Sequence, residues 1–316
     1  MLLISNNNTN PYFNIASEEY LLKEFTDDIV MLYVNEPSII IGKHQNAFAE
    51  ANIRYTTENN IPVIRRISGG GAVYHDIGNL NFSFIINGRE GQLVDFRKFT
   101  KPIIDILQKS GVGARFEGKS DIRLNGLKIS GNAEHVFKNR VLHHGTLLIS
   151  TDLNKLSNAL EVAPNKYKDK AIKSVRSKIT NIGDLLKSSD DKIRDLQKQL
   201  FKYAGSLQET NNYSFSINDR ENIEKLIEQK YGTWEWNFGY SPSYEFCNNT
   251  LINGKATKIR LYVEKGIIKE ADIKGIKELQ EALTGIQHQY SEIYKVLKSM
   301  VNLNEDELME ISWSFF

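Results

Sequence analysis

Short apolar stretches separated by polar residues and glycines occupy the first 150 residues of the chain. They are rich in β-branched residues and are bounded by Gly, Pro or Asn, which is typical of strands. We therefore predict strands at residues 29–34, 39–41, 63–64, 80–86 and 141–149.

Two helices are predicted among these strands from apolar residues at helical spacing. Asn14 is expected to cap a helix that runs to about Phe25. A second helix is expected at residues 101–110, where Gly111 provides a residue suited to a helix end. The mixture of strands and helices indicates an α/β fold with a mixed sheet.

Helix is expected to dominate residues 155–203, because apolar residues repeat there at three- and four-residue intervals. A cap for the later part of this segment is predicted at Ser188, Ser189 or Asp190. Residues 165–178 differ, since they are basic and lack apolar periodicity. We predict a loop there, and such loops in compact enzymes often carry function.

The pattern changes again near Pro242, where residues 240–243 have the composition of a turn. Apolar and polar residues then alternate over 256–263, and Gly266 leads into a second apolar stretch, as in a hairpin. Helical segments follow from about Ile276. We predict a catalytic domain at 1–240, a linker at 241–245 and a small α+β domain at 246–316.

Charge and composition exclude several classes of protein. The 40 basic and 39 acidic residues nearly cancel, which argues against bulk binding to nucleic acid or to an anionic membrane. The N-terminus lacks the pattern of a signal peptide, and no apolar run is long enough to span a bilayer. Cys247 is the only cysteine, so an internal disulfide and a cysteine-based zinc site are excluded. A cytoplasmic location is expected.

The most informative segment is residues 65–76, in which Gly69, Gly70 and Gly71 follow Arg65, Arg66 and Ser68. Three successive glycines let backbone N–H groups approach a ligand and point at an anion. Two arginines supply permanently charged planar donors for phosphate or carboxylate. The alternative is a basic surface loop without a ligand. The residues alone indicate an anion or nucleotide site of unknown class.

Three further segments contain residues of candidate sites. Residues 113–120 match the spacing of a P-loop, but we interpret this as chance because strand and turn, not helix, are expected after Ser120. Lys128 lies between Leu127 and Ile129, and it is either directed into a cleft or solvated on an edge strand. Adjacent residues of a strand point to opposite faces, so His143 and His144 are not predicted to bind a metal together.

Taken together, these segments resemble the lipoate–protein ligase family of the two-domain bacterial type. The resemblance spans essentially the whole chain and is strongest before residue 240. It implies a mixed α/β catalytic domain, shared with biotin ligases, and a smaller C-terminal domain. The matching segments are residues 65–76, 128–131, 143–148, 174–178 and 234–239.

The resemblance implies a reaction in two steps. Lipoate and ATP, with Mg²⁺, give lipoyl-AMP and pyrophosphate. The ε-amine of an acceptor lysine then attacks the acyl carbon, and AMP leaves. The implied acceptors are the lipoyl domains of E2 subunits of 2-oxoacid dehydrogenase complexes and the glycine cleavage H protein.

The resemblance also implies roles for individual residues. Lys128 is the implied catalytic residue, between the lipoate carboxyl and the α-phosphate, and Asp121 is a candidate Mg²⁺ ligand. The implied ATP and adenylate site consists of Arg66, Gly71, Ala72, Val73, Tyr74, Asp121 and Lys128. The implied lipoate site consists of Tyr33, Ser68, Gly69, Gly70, Val73, His75, Lys128 and His144.

Two residues depart from the family pattern: Tyr33 stands where a tryptophan is expected, and Ser120 where an asparagine is common. Three alternatives stay open. The first is an octanoyl- or lipoyl-transferase of the same superfamily, which would need Cys247 as its thiol. The second is a non-catalytic protein that binds lipoate or lipoyl-AMP. The third is a ligase dedicated to one unusual acceptor. A biotin ligase is disfavoured because residues 65–71 lack its glycine–arginine alternation.

Overall fold

Strands of mixed direction form the frame of the protein in the computed structural model, which describes residues 1–88, 93–186, 191–252, 254–274, 276–300 and 304–316. The strands of the described residues are, in chain order, β1 (Leu2–Asn6), β2 (Ile29–Tyr33), β3 (Ser38–Ile41), β4 (Val63–Arg65), β5 (Val73–His75), β6 (Asn79–Asn87), β7 (Arg115–Glu117), β8 (Asp121–Leu124), β9 (Leu127–Phe137), β10 (Arg140–Leu148), β11 (Tyr167–Asp169), β12 (Asn211–Asn212), β13 (Tyr244–Ile252), β14 (Lys255–Glu264) and β15 (Ile267–Ile273).

The helices pack around these strands. In the same part of the chain they are α1 (Pro11–Glu24), α2 (Ala47–Glu50), α3 (Ile53–Glu58), α4 (Phe96–Lys109), α5 (Leu153–Leu160), α6 (Lys192–Leu207), α7 (Ile217–Leu226), α8 (Lys277–Leu283), α9 (Tyr290–Met300) and α10 (Glu305–Trp313). Short π-helical turns follow at Ile227–Tyr231 and Glu235–Gly239. None of the helices described is both long and apolar enough to cross a membrane.

The largest sheet has eight strands in the order β12-β1-β2-β6-β10-β9-β8-β7. β1 runs parallel to β2 and β12, and the other neighbours are antiparallel. Because successive strand residues point to opposite faces, Phe84 packs with α4 and α6 while Ile85 packs with α1 and α7. Two apolar cores therefore enclose the sheet, and the predicted mixed α/β fold is confirmed.

A smaller sheet, in the order β4-β3-β5, stands beside the large one. β3 is parallel to β4 and antiparallel to β5, so the glycine run joins two strands of this sheet at one end. Ile39, Ile41, Val63 and Tyr74 form its core with Ala159 of α5. This core fixes both ends of the glycine run.

The C-terminal region contains the predicted hairpin, formed by β14 and β15 with Gly266 at positive φ in the turn. Its sheet has the order β11-β13-β14-β15, and α8, α9 and α10 pack on it. β11 comes from before residue 240, so one strand of this sheet belongs to the earlier part of the chain. The division into residues 1–240, 241–245 and 246–316 stays a prediction.

Two sequence predictions about helices were wrong. The cap of α1 is Asn10, whose side chain accepts hydrogen bonds from the N–H groups of Tyr12 and Phe13. Asn14 instead lies inside the first turns, where it is buried and bonds to Asn6 and Asn35. The sequence alone could not separate the two roles, because asparagine is common at helix caps and its amide can also bond inside the protein, as Asn14 does.

The second wrong prediction concerns residues 155–203, where helix does not dominate. α5 ends at Leu160, and α6 begins only at Lys192. The predicted cap at residues 188–190 lies outside the described residues, while Asp191 caps α6 through the N–H of Arg194. The predicted loop at 165–178 is largely irregular, apart from the short strand β11.

Arg65 joins β4 to two distant segments. Its guanidinium is buried and donates to the backbone oxygens of Gln45 at 2.6 Å, Asn237 at 2.8 Å and Trp236 at 2.9 Å. Burial lowers the pKa of Arg65 to about 9. The side chain therefore fixes the sheet that holds the glycine run and is not available to a ligand.

We predict that Arg65→Met destabilises the protein by about 3 kcal/mol or more, because several buried carbonyls lose their donor. Urea unfolding followed by tryptophan fluorescence measures this. Arg54→Met is the matched control, since the Arg54 side chain is 45% exposed in its ion pair with Glu310 and should matter far less. Equal losses in the two variants would contradict the role of Arg65.

Candidate active site

The bend of the glycine run requires a glycine at two positions, Gly70 within the run and Gly42 on the segment that it contacts. A Cβ on Gly42 would lie 2.1 Å from the carbonyl oxygen of Gly70, so the two backbones are in direct contact. Gly70 itself has φ of +87°, a conformation that other residues rarely adopt. The bend therefore presses against the segment after β3 and has a defined shape.

Arg66 holds the bend from the inside. Its Nη2 donates to the carbonyl oxygens of Gly69 at 2.5 Å and Gly71 at 2.9 Å, and its Nη1 donates to that of Ile40 at 3.0 Å. Burial lowers the pKa of Arg66 to about 10, so it is a cation at neutral pH. Carbonyls are thus drawn towards Arg66 from both sides of Gly70.

Two adjoining cavities open beside the bend. The first has a volume of about 490 Å³, and its inner part is formed by Ile15, Tyr33, Ile40, His75 and His144. The second has a volume of about 570 Å³ and includes Tyr74, Leu153, Leu156 and Leu160. Nine of the described residues line both cavities: Ala72, Val73, Lys128, Gly131, Thr146, Lys173, Ser174, Val175 and Ser177. They form one continuous site with two arms.

Lys128 lies where the two cavities meet. Its Nζ is 3.0 Å from Oδ1 of Asp121, and its backbone bonds to residues 178 and 180 on the neighbouring segment. A Cβ on Gly131 would lie 3.1 Å from the Lys128 Nζ, so glycine leaves room for the amine. Of the two interpretations left open by the sequence, the cleft is the one observed.

Asp121 begins β8 directly after the turn at residues 118–120. A strand therefore follows Ser120, as expected, and the helix that a P-loop requires is missing. The Asp121 carboxylate also pairs with Arg123 at 2.8 Å, so it links two cations. Within the described ranges, no group of three or more His, Cys, Asp or Glu residues could hold a metal. Asp121 is a single carboxylate at the edge of the first cavity.

The structure brings most of the sequence-predicted site residues together. Lining the first cavity are Tyr33, Arg66, Gly70, Gly71, Ala72, Val73, His75, Asp121, Lys128 and His144. Tyr74 joins Ala72, Val73 and Lys128 in the second. Ser68 and Gly69 line neither cavity; Ser68 is fully buried behind the bend. Their expected place beside an acyl chain stays a prediction.

Buried polar groups surround the inner part of the first cavity. The Tyr33 hydroxyl donates to Glu18 at 2.9 Å, and burial raises the Tyr33 pKa well above its usual value. Burial also lowers the pKa of His75 to about 3, so this imidazole is neutral and contacts Asn35 at 2.9 Å. His143 lies on the opposite face against Phe99, 2.7 Å from Glu134. The prediction that adjacent histidines diverge is confirmed.

Glu50 was not predicted from the sequence to belong to the site, and Ser174 was named only as part of the matching segment 174–178. Ser174 Oγ accepts a hydrogen bond from the Ala72 N–H at 2.8 Å and donates to Glu50. Burial raises the pKa of Glu50. Ser174 thus joins the 165–178 loop to the glycine run. The basic, non-periodic composition signalled this loop, whereas nothing local in sequence signalled Glu50.

Comparison with known proteins agrees with this architecture. Residues 10–204 match the family model described as the lipoyl protein ligase A/B catalytic domain. The chain is 43% identical to lipoate–protein ligase 1 of Staphylococcus aureus, over 94% of this chain and 93% of that protein. It is 39% identical to a lipoate–protein ligase of Bacillus subtilis, over 96% and 95% of the two chains.

Solved structures give the same result. A lipoate protein ligase of Thermoplasma acidophilum with bound lipoic acid has a TM-score of 0.63 at 27% identity, covering 75% of this chain and 98% of that one. Lipoate–protein ligase A bound with ATP also has a TM-score of 0.63, at 28% identity and 76% and 98% coverage. The chain belongs to the lipoate–protein ligase family of enzymes, and the resemblance inferred from its motifs is confirmed.

Proposed function

We propose that this protein is an ATP-dependent lipoate–protein ligase that forms lipoyl-AMP and transfers the lipoyl group to a lysine of an acceptor protein. The observation that carries the proposal is the position of Lys128, whose side chain lies where an apolar cavity meets a second, more polar one. Relatives with bound lipoic acid and with bound ATP support one ligand for each arm.

In the first step two anions must meet, the lipoate carboxylate and the α-phosphate. The Lys128 ammonium offsets their repulsion and can contact oxygens of both as charge moves between them. The dithiolane and its chain occupy the first cavity, among Ile15, Tyr33 and Ile40. Burying apolar area there contributes about 25 cal/mol per Å² to binding. The carboxyl end then faces Lys128.

The second cavity suits a mononucleotide. Leu153, Leu156 and Leu160 supply apolar surface for the base, and the backbone of residues 71–74 runs along the cavity wall. Lys173 and Lys178 supply cations for phosphate. Ser174 already accepts the Ala72 N–H, so a phosphate oxygen that used this donor would replace a serine oxygen at the same place.

Asp121 is the residue that we propose to hold Mg²⁺. A single carboxylate fits this ion, since Mg²⁺ commonly keeps several waters and binds one or two carboxylates together with substrate phosphates. The ion would supply charge neutralisation to the phosphates of ATP. Ser120, in place of the common asparagine, contributes its backbone oxygen to Asn132 at 2.7 Å.

In the second step the acceptor lysine must lose a proton, since its unperturbed pKa is about 10.4. We propose lipoyl domains of E2 subunits and the glycine cleavage H protein as acceptors. A structure of the Thermoplasma acidophilum system that includes an E2 lipoyl domain supports this class. The 165–178 loop, joined to the glycine run through Ser174, shields the mixed anhydride from water.

The rival thiol route finds no support in the site. Cys247 lies on β13, and it lines neither of the two cavities. A non-catalytic protein that binds lipoate alone would not need a cation at the junction of the two cavities, where the Lys128 side chain lies.

We predict that Lys128→Ala reduces lipoyl-AMP formation by about 100-fold or more, because a preorganised charge is lost at the reacting groups. Lipoate-dependent release of pyrophosphate measures this. Lys138→Ala, in the exposed turn after β9, is the control and should keep full activity. Release at the normal rate by the Lys128 variant would refute the assigned role.

We predict that Cys247→Ser modifies an apo acceptor protein as completely as the unaltered enzyme does. Intact mass spectrometry of the acceptor, after incubation with ATP, Mg²⁺ and lipoate, gives the answer. An acceptor that stays unmodified would restore the cysteine-dependent transferase as the better hypothesis.

We also predict that the region beyond residue 245 rotates or detaches when the adenylate forms. In this structure it contacts the catalytic part through the pairing of β11 with β13, through a shared buried core that includes Phe48, and through the exposed Arg54–Glu310 ion pair. The Lys166 amine also lies 2.5 Å from the Phe316 oxygen, and these contacts have to break or move for the region to rotate. Solution X-ray scattering with ATP and lipoate should show the change. Lys128→Ala, which is expected to form the adenylate about 100-fold more slowly, should show no change over the same short incubation, and an unchanged profile in both proteins would count against rotation.

A further inference from the structure

A chain of buried hydrogen bonds runs from α1 to the glycine run. Oε2 of Glu18 is 2.7 Å from Nδ1 of His144, whose Nε2 is 2.6 Å from Oγ of Ser68. Ser68 Oγ in turn accepts from Nε of Arg66 at 2.9 Å. Exposure of the four residues is 1%, 7%, 0% and 5% along this chain. Water therefore has little access to it.

The hydrogen bonds have one consistent direction. Because Ser68 Oγ accepts from Arg66, its own proton is available to donate to His144 Nε2. His144 then carries its single N–H proton on Nδ1 and donates it to Glu18. Tyr33 and Ser83 donate to the second Glu18 oxygen. Glu18 is an acceptor in every bond, so an ionised carboxylate stands at one end and a guanidinium at the other.

A serine, histidine and carboxylate in this order resemble the nucleophilic triad of hydrolases. Two observations exclude that role here. Ser68 is 0% exposed, and it lines neither cavity, so no substrate carbonyl reaches its oxygen. Its lone pair is also directed to the Arg66 N–H. What this chain contacts is the bend, through the bonds of Arg66 to Gly69 and Gly71.

We propose that Glu18 is a positioning residue for adenylate formation, acting through His144 and Ser68 to hold Arg66 and thereby the glycine run in the shape that binds substrates. The proposal rests on the ligase function proposed above. Glu18 supplies a buried negative charge that offsets the buried charge of Arg66. It also fixes the orientation of His144, one wall of the first cavity.

Removing Glu18 should affect the lipoate affinity and the kcat of the enzyme to different extents. Glu18 itself lines neither cavity, and the apolar surface of Ile15 and Ile40 stays in place, so the affinity for lipoate should fall less than kcat does even if His144 shifts. The glycine run loses its fixed shape, and misplacement of about 1 Å at a reacting centre lowers a rate by about 100-fold. We therefore expect Glu18→Gln to lower the kcat of lipoate-dependent ATP–pyrophosphate exchange by about 100-fold.

Glu19 provides a matched control on the same helix. It is 3% exposed and pairs with Lys23 and Lys230, both at 2.6 Å, and not with His144 or Ser68. Glu19→Gln should therefore keep the normal kcat even if it lowers stability. Equal losses of kcat in the two variants would show a general effect of removing a buried carboxylate and would overturn the proposal.

A double-mutant cycle tests the connection itself. Ser68→Ala should lower kcat as Glu18→Gln does, and the double variant should be no slower than the worse single variant, since both interrupt one chain. If the loss of kcat in the double variant equals the product of the two single losses, the two residues act independently and the proposal is refuted. If Glu18→Gln does not fold, as judged by circular dichroism, the cycle between Ser68→Ala and His144→Gln decides in the same way. Absence of exchange in the unaltered enzyme would instead refute the ligase function.

Discussion

The structure depends on two adjacent buried arginines whose donors are directed at backbone oxygens. Arg65 holds β4 against the segments around Gln45 and Asn237, and Arg66 holds the glycine run against itself. Guanidinium groups suit this purpose because they present several fixed donors and keep their charge when buried. The site is thus built from backbone whose shape is set by Arg65, which lines neither cavity, and by Arg66, which also lines the first one.

Around this bend, one segment connects three parts of the molecule. Residues 167–169 pair with β13, Ser174 bonds to Ala72, and residues 178–180 pair with the backbone of Lys128. A shift of Lys128 or of the glycine run is therefore transmitted along a continuous, short stretch of chain. The 165–178 loop, which we propose to shield the adenylate from water, is therefore connected to the C-terminal region through the pairing of β11 with β13.

Much of the fold could be predicted because many strands are short, buried stretches bounded by turn residues, as at 29–33 and 141–148. The helix start at Asn10 was missed because Asn14 offers the same side chain one turn later. Lys128 and the glycine run stood out through local composition. Glu18 could not be found, because its partners Ser83 and His144 are remote in sequence and only the folded sheet brings them near.

The strand β11 has a consequence for any attempt to divide the chain. β13 pairs with β11 on one edge and β14 on the other. A fragment that starts after residue 240 lacks β11, so the outer edge of β13 displays unpaired N–H and C=O groups, and exposed edges of this kind promote self-association. The polypeptide is therefore interleaved: one strand of the smaller sheet comes from the earlier part of the chain, so any rotation of the C-terminal region must carry β11 with it or break its pairing with β13.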